Sequence, residues 1–198
     1  MAQLDFWYEF ASTYSYLAAM RCQSVAEASG ARLRWRPFLL GPIFVAQGWN
    51  TSPFNLYPAK GRYMLRDLER ICGQRGLTFR PPEPFPQNSL LAARVALAVP
   101  EDRRPEFSRA VYLAEFAEGR NIADESLLGE LLLRLGLPAA EIFEKAKSDA
   151  VRSMLREETA TAQRLGLFGA PSFVAGDGEI FWGDDRLEQA VAWAKGER

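Results

Sequence analysis

The chain has 198 residues, with 24 lysines and arginines against 25 aspartates and glutamates, and a hydrophobic share of 48% that suits one globular domain, or one domain carrying an insertion. A net charge of -1 offers no field to gather phosphates, and no apolar run reaches the ~18 residues of a membrane span, so nucleic acid and membranes are set aside as partners. There is no histidine, which removes Ser-His-Asp and Cys-His dyads and His-ligated metals, so any catalysis has to borrow its reactive group.

Residues 3 to 10 predict a buried strand, because Leu4, Phe6, Tyr8 and Phe10 alternate with Asp5, Trp7 and Glu9. Ala11-Ser12-Thr13 stops it, and the spacing of Tyr16, Leu17, Met20 and Val25 predicts one helix from Tyr14 to Gly30. Leu33 and Trp35, interleaved with Arg32, Arg34 and Arg36, give a second strand closed by Pro37; a strand-helix-strand unit of this kind is parallel and right-handed. Gly41 to Pro58 reads as a loop rich in Gly, Pro, Asn, Ser and aromatics, longer than ordinary connections, and length of that kind hints at function. From Ala59 to about Leu165 the period is helical, as in Leu65, Leu68 and Ile71, then Phe107, Val111 and Phe116, then Leu127, Leu131 and Leu135. Phe168 to Val174 returns to strand character, Gly176-Asp177-Gly178 turns the chain, and residues 179 to 182 pair back. Asp184 and Asp185 then cap a last helix carrying Leu187, Ala190, Val191 and Trp193.

This order is that of an α/β thioredoxin-like fold with an all-helical insertion domain. Residues 1–40 and 166–198 form the thioredoxin-like domain and 41–165 the helical insertion. Cys22 and Cys72 form no C-x-x-C and read as small buried hydrophobes, which argues against a thiol-disulfide oxidoreductase. An apolar strand pattern from the first residues, with no basic leader, predicts a cytoplasmic location.

Two positions carry the chemistry. Ser12 stands where the first strand hands over to the first helix: it is either a plain N-cap, worth ~1 kcal/mol, or a hydroxyl that faces an anion at the positive end of the helix. Pro171 enters a strand directly after Gly169-Ala170, either as a rigid turn or as a cis peptide that leaves backbone free for something else to pair with.

Phe10-Ala11-Ser12-Thr13-Tyr14-Ser15-Tyr16-Leu17-Ala18, Pro58-Ala59-Lys60-Gly61-Arg62-Tyr63 with Arg66-Asp67-Leu68, Phe168-Gly169-Ala170-Pro171 and Phe181-Trp182-Gly183-Asp184-Asp185-Arg186-Leu187 together resemble the 2-hydroxychromene-2-carboxylate isomerase family. That family is related to the kappa-class glutathione transferases and, more distantly, to DsbA. The resemblance spans nearly the whole chain and implies a homodimer that binds glutathione. It makes Ser12 the residue facing the glutathione sulfur, Ala170 before a cis Pro171 the backbone partner of the cysteinyl part, and Trp182, Gly183, Asp184 and Asp185 the holders of the γ-glutamyl end. Two positions depart from the family pattern: Thr13 replaces the usual proline, and Asp184 replaces the usual Asn or Ser, bringing a negative charge towards the glutamyl carboxylate.

The physics agrees with that assignment. Bringing a free thiol from pKa ~8.5 to mostly thiolate at neutral pH takes a drop of ~2 units, or ~2.7 kcal/mol. A hydroxyl donating to a charged acceptor supplies ~1.5 to 3 kcal/mol and a helix N-terminus a further ~0.3 to 1. With no histidine to take its proton, Ser12 acts as a donor and not as a nucleophile. Asp185 either caps the last helix or pairs with the glutamyl ammonium.

For the second substrate, Asn50, Phe54, Asn55 and Tyr57 offer amides and aromatic faces to a planar aromatic carboxylate, Lys60 or Arg62 a cation for its carboxylate, and Phe85 a further wall. Arg62, Arg66 and Arg70 stand one turn apart beside Asp67 and Glu69, a solvated or interface stripe. The reading is a glutathione-dependent isomerase acting on a small aromatic-derived carboxylate. The alternatives are a kappa-like glutathione transferase or peroxidase on the same site, and a non-catalytic binding module on the same scaffold.

Overall fold

Strand β1 (Gln3–Tyr8) runs parallel to β2 (Arg32–Pro37), with Phe6 opposite Trp35, and antiparallel to β3 (Ser172–Ala175), with Phe6 opposite Phe173. Strand β4 (Ile180–Trp182) pairs antiparallel with β3 and completes a mixed sheet of order β2-β1-β3-β4. The structure is a computed structural model and describes residues 2–49 and 51–197. Flanked on both sides, β1 is buried on both faces from Phe6 to Tyr8, as the aromatic run there requires, while Gln3 is exposed and Asp5 is partly buried, paired with Arg34 and Arg36. Leu4, Phe6 and Tyr8 face the main core, while Trp7 packs with Phe38, Ile43 and Leu167 on the opposite face.

The predicted helix after β1 is two helices, α1 (Thr13–Ala19) and α2 (Cys22–Ala28). Arg21, at φ -135°, leaves the helical region between them, and its guanidinium reaches Asp184 and Glu188 near the other end of the chain. A long-range ion cluster, invisible in the local spacing, breaks the helix.

The predicted loop from Gly41 to Pro58 also contains helix. Helix α3 (Leu40–Ala46) buries Ile43 against Trp7 and Phe38, and a single turn, α4 (Pro53–Leu56), follows. Pro42 is tolerated there because it lies in the first turn, where a missing N–H costs nothing. Beyond it stand α5 (Pro58–Arg75), α6 (Leu90–Ala98), α7 (Arg104–Phe116), α8 (Glu125–Arg134), α9 (Ala139–Lys147) and α10 (Asp149–Arg164). This is the helical block predicted from the apolar period, and all four strands lie outside residues 41–165.

The core is continuous between sheet and helices. Phe10 and Tyr16 pack on Tyr112 and Phe116 of α7, with ring centroids 5.2 Å apart for Phe10–Tyr112 and 5.5 Å for Tyr16–Phe116. The Tyr112 hydroxyl donates to the Glu9 carbonyl at 2.9 Å, and the Tyr8 and Ser108 hydroxyls bond at 2.8 Å. Helix α7 is thereby bolted beneath the turn that presents Ser12. The last helix, α11 (Leu187–Ala194), follows a 3-10 turn over Asp184–Arg186 and receives no side-chain cap. The predicted capping by Asp184 and Asp185 is not realised, because Asp184 spends its carboxylate on two arginines instead. Among the described residues no helix is long and apolar enough to cross a membrane.

Candidate functional site

Ser12 is the N-cap of α1, with extended backbone at φ -94° and ψ 115°. Its Oγ accepts from the Ser15 N–H at 3.2 Å and donates to the Ala170 carbonyl at 2.9 Å, while its N–H is held by the Glu9 carbonyl at 3.0 Å. Ser12 therefore caps the helix, the first of its two sequence readings, and, half-buried, it lines a cleft.

Opposite Ser12, the Ala170–Pro171 peptide is cis and leads into β3. The Pro171 carbonyl accepts from the Gly183 N–H at 3.0 Å, which ties this turn to the end of β4. Gly169 is required by the Trp182 indole, since a Cβ there would stand 2.5 Å from Nε1. Gly183 has φ +114°, a conformation that L side chains rarely adopt, and a Cβ there would meet Asp185 Oδ1 at 2.5 Å. The two glycines let Trp182 and the Asp184-Asp185 turn close around Ala170-Pro171.

Asp184 is 4% exposed and fully engaged: Oδ1 accepts from Arg21 Nε at 2.9 Å, Oδ2 from Arg75 Nη2 at 2.6 Å, and its carbonyl from Arg21 Nη2 at 2.6 Å. The negative charge that the family resemblance would bring towards a glutamyl carboxylate is thus balanced by two guanidiniums. Asp185 is exposed, with Arg186 Nη2 at 3.8 Å from its carboxylate.

These residues line one end of a cleft of about 1200 Å3. Phe54, Lys60 and Phe85 line it, and it adds Phe44 and Trp49, tilted rings with centroids 5.7 Å apart, from the stretch read as loop. Asn55 does not reach it: α4 turns its side chain outward, where the amide donates to Thr51 Oγ1 at 3.0 Å. Asn50 lies outside the described residues. Tyr57 and Arg62 are exposed and off the cleft; the Tyr57 ring carries the Lys60 ammonium at 4.8 Å. Arg66–Glu69 at 2.7 Å and Arg70–Asp67 at 2.9 Å make Arg66 and Arg70 part of a solvated stripe. Lys60 is the one cation lining the cleft among the described residues.

Glu9 went unselected in the sequence. It lines the cleft, is 6% exposed, and accepts from the Leu40 N–H at 2.9 Å and the Ala11 N–H at 3.4 Å. Burial pushes its carboxyl above the usual range. The signal is an acidic residue set between the aromatics Tyr8 and Phe10. On α7, Glu115 is fully buried with neither carboxyl oxygen bonded, and burial first, then Glu9, holds it well above the usual range. Burial likewise pushes up the thiols of Cys22 and Cys72, leaving both unsuited to exchange chemistry.

Residues 3–192 match the family model of the DSBA-like thioredoxin domain. A 2-hydroxychromene-2-carboxylate isomerase of Sphingobium xenophagum is 30% identical over 187 residues, covering 93% of this chain and 94% of that protein. Glutathione S-transferase kappa 1 of Homo sapiens is 27% identical over 200 residues, covering 93% of this chain and 87% of that protein. A solved structure of 2-hydroxychromene-2-carboxylate isomerase superposes with a TM-score of 0.86 at 28% identity, covering 98% of this chain and 94% of the other.

Proposed function

From the premise that the chain belongs to the DSBA-like thioredoxin-domain family and, within it, to the 2-hydroxychromene-2-carboxylate isomerases, we propose a glutathione-dependent isomerase in which the Ser12 hydroxyl holds the glutathione sulfur as a thiolate. The relatives are enzymes, isomerases and glutathione transferases. The observation that carries the finer reading is the Ser12 Oγ–Ala170 O bond of 2.9 Å at the cleft.

Without ligand, the Ser12 proton rests on a neutral carbonyl. A sulfur anion entering between Ser12 and Ala170 offers a better acceptor, so a bond worth ~1 kcal/mol is exchanged for a charge-assisted one of ~1.5 to 3, with the α1 N-terminus adding ~0.3 to 1. The exchange nets ~0.8 to 3 kcal/mol, whose upper end reaches the ~2.7 kcal/mol of a drop of ~2 pKa units. The tripeptide then extends past Pro171 to the Trp182–Asp185 turn, where the exposed Asp185 carboxylate pairs with the glutamyl ammonium. The Arg21–Asp184–Arg75 cluster braces that turn and presents no uncompensated anion to the ligand.

Phe44, Trp49, Phe54 and Phe85 supply apolar and aromatic walls for a planar ring, and Lys60 a cation for its carboxylate. The thiolate adds to a double bond conjugated to a carbonyl: a C–S bond forms and the π pair moves onto the carbonyl oxygen. The former double bond rotates, the pair returns, and the C–S bond breaks. Glutathione is regenerated. In a kappa-like transferase, favoured by the 27% identity to the human protein, the sulfur would leave in the product instead.

The test is to follow 2-hydroxychromene-2-carboxylate and glutathione together. Glutathione-dependent conversion with no net thiol loss supports the isomerase, stoichiometric thiol loss supports the transferase, and conversion unaffected by omitting glutathione contradicts both.

A further inference from the structure

Glu9 has no task in the scheme above, yet it shares the cleft with Ser12. Its backbone is fixed twice over, its carbonyl accepting from the Ser12 N–H at 3.0 Å and from the Tyr112 hydroxyl at 2.9 Å. Its carboxyl is aimed at the start of α3 and takes the Leu40 N–H at 2.9 Å. Among the described residues no lysine or arginine pairs with it. It is therefore a pinned, nearly dry carboxyl at the wall of a reaction cleft, in a chain without histidine.

The chemistry proposed for the cleft creates a need at that spot. Thiolate addition to a conjugated double bond leaves an enolate, a strong base in an apolar surrounding. The bond between the α- and β-carbons is already single in the enolate, but the same electron pair readily expels the sulfur, so an adduct left unprotonated collapses before rotation is complete. Of the other ionisable groups on the wall, the Tyr14 hydroxyl is already donated to Asp67 at 3.0 Å, Asp67 and Asp184 are held by arginines, the exposed Tyr63 ring carries the Arg70 guanidinium at 5.5 Å, and Lys60 and Asp185 are assigned to the substrate carboxylate and the glutamyl ammonium.

We propose that Glu9 is a catalytic residue of the isomerisation, the proton donor and acceptor of the cleft. The inference rests on the glutathione-isomerase reading. After the C–S bond forms, the Glu9 carboxyl gives its proton to the α-carbon of the enolate and becomes a carboxylate. The single bond between the α- and β-carbons rotates while the protonated adduct persists. The carboxylate then withdraws the α-proton, the double bond re-forms, the C–S bond breaks, and the thiolate returns to Ser12. Glu9 ends protonated, and no electron, proton or thiol is consumed.

The groups around Glu9 suit a carboxyl that starts neutral. Burial raises its pKa, against hydrogen bonds from the Ser89 side chain and the Leu40 N–H. From α7 it faces Tyr112 and Glu115, both themselves shifted upward by burial, and α3 carries no ionisable residue at all. No neighbouring cation pulls the carboxyl towards its charged form.

Glu9→Gln tests this, since the amide oxygen can still accept from Leu40. With saturating glutathione, turnover is expected to fall about 100-fold or more. The wild-type rate, rising as the thiol ionises and falling as Glu9 loses its proton, becomes one-sided in the variant, without the alkaline fall. Glutathione affinity stays within about twofold, because Glu9 is placed on the proton step and not on the tripeptide. Wild-type turnover together with an unchanged E9Q rate and pH profile overturns this inference alone. Absence of wild-type turnover overturns it together with the reading it rests on. Loss of both turnover and glutathione binding in E9Q marks Glu9 as structural and likewise overturns it.

Discussion

The hydroxyl of Ser12 donates to the carbonyl of Ala170 at 2.9 Å, joining the first turn of α1 to the peptide preceding Pro171 across 158 positions of sequence. The bond holds the two halves of the sheet domain face to face at the mouth of the cleft. It also leaves one hydroxyl able to exchange a neutral acceptor for a charged one without moving any backbone.

Gly169→Ala forces a Cβ to within 2.5 Å of Trp182 Nε1, and the indole, about half exposed, has to swing away. Since Trp182 borders the part of the cleft assigned to the glutamyl end, we expect the apparent glutathione KM to rise roughly tenfold, about 1.4 kcal/mol, with stability changed by less than about 1 kcal/mol. Steady-state kinetics alongside urea denaturation separates the two effects.

Asp184→Asn keeps the shape of the side chain but removes the charge that balances Arg21 and Arg75. Both guanidiniums retain some access to water, so the expected loss is roughly 1 to 3 kcal/mol, below that of a fully buried pair. Chemical denaturation measures it; an unchanged midpoint would mean the turn after β4 does not need its brace.

Glu115 carries a carboxyl that burial keeps protonated, with neither oxygen bonded. A group whose folded pKa is raised stabilises fully below its unfolded pKa, and that contribution is lost as pH rises through the folded value. Wild-type stability is therefore expected to decline as pH rises above the ordinary carboxylate range. In Glu115→Gln the slope becomes shallower, as denaturation midpoints taken across pH will show. Equal slopes would mean that folding does not shift the Glu115 carboxyl.

Both thiols are buried and held protonated, so a thiol reagent should label neither Cys22 nor Cys72 in the native protein and both in denaturant. Rapid native labelling would reopen a direct redox role for the chain.

Much of this was legible in the residues. The alternation through Phe6 and Tyr8, the helical period after Ala59 and the approach of Ser12 to Ala170-Pro171 all follow from local pattern or from the family resemblance. What escaped depends on distant partners. Arg21 breaks a helix because Asp184 and Glu188 wait for it, and Asp184 abandons its predicted capping for the same reason. Helix α3 hid behind Gly41 and Pro42, since the reward for forming it is burial of Ile43 against Trp7 and Phe38, two residues outside the local window. Asn55 faced the wrong way because α4 is a helical turn and not the extended loop that its composition suggests.

The account stands most directly on the ionisation of bound glutathione. Titrating the thiolate absorbance of glutathione bound to wild type and to Ser12→Ala should show a depressed thiol pKa in the wild type, raised by about 1 to 2 units in the variant, in line with a lost charge-assisted bond of ~1.5 to 3 kcal/mol. An identical thiol pKa in both proteins, with glutathione bound in each, would contradict it.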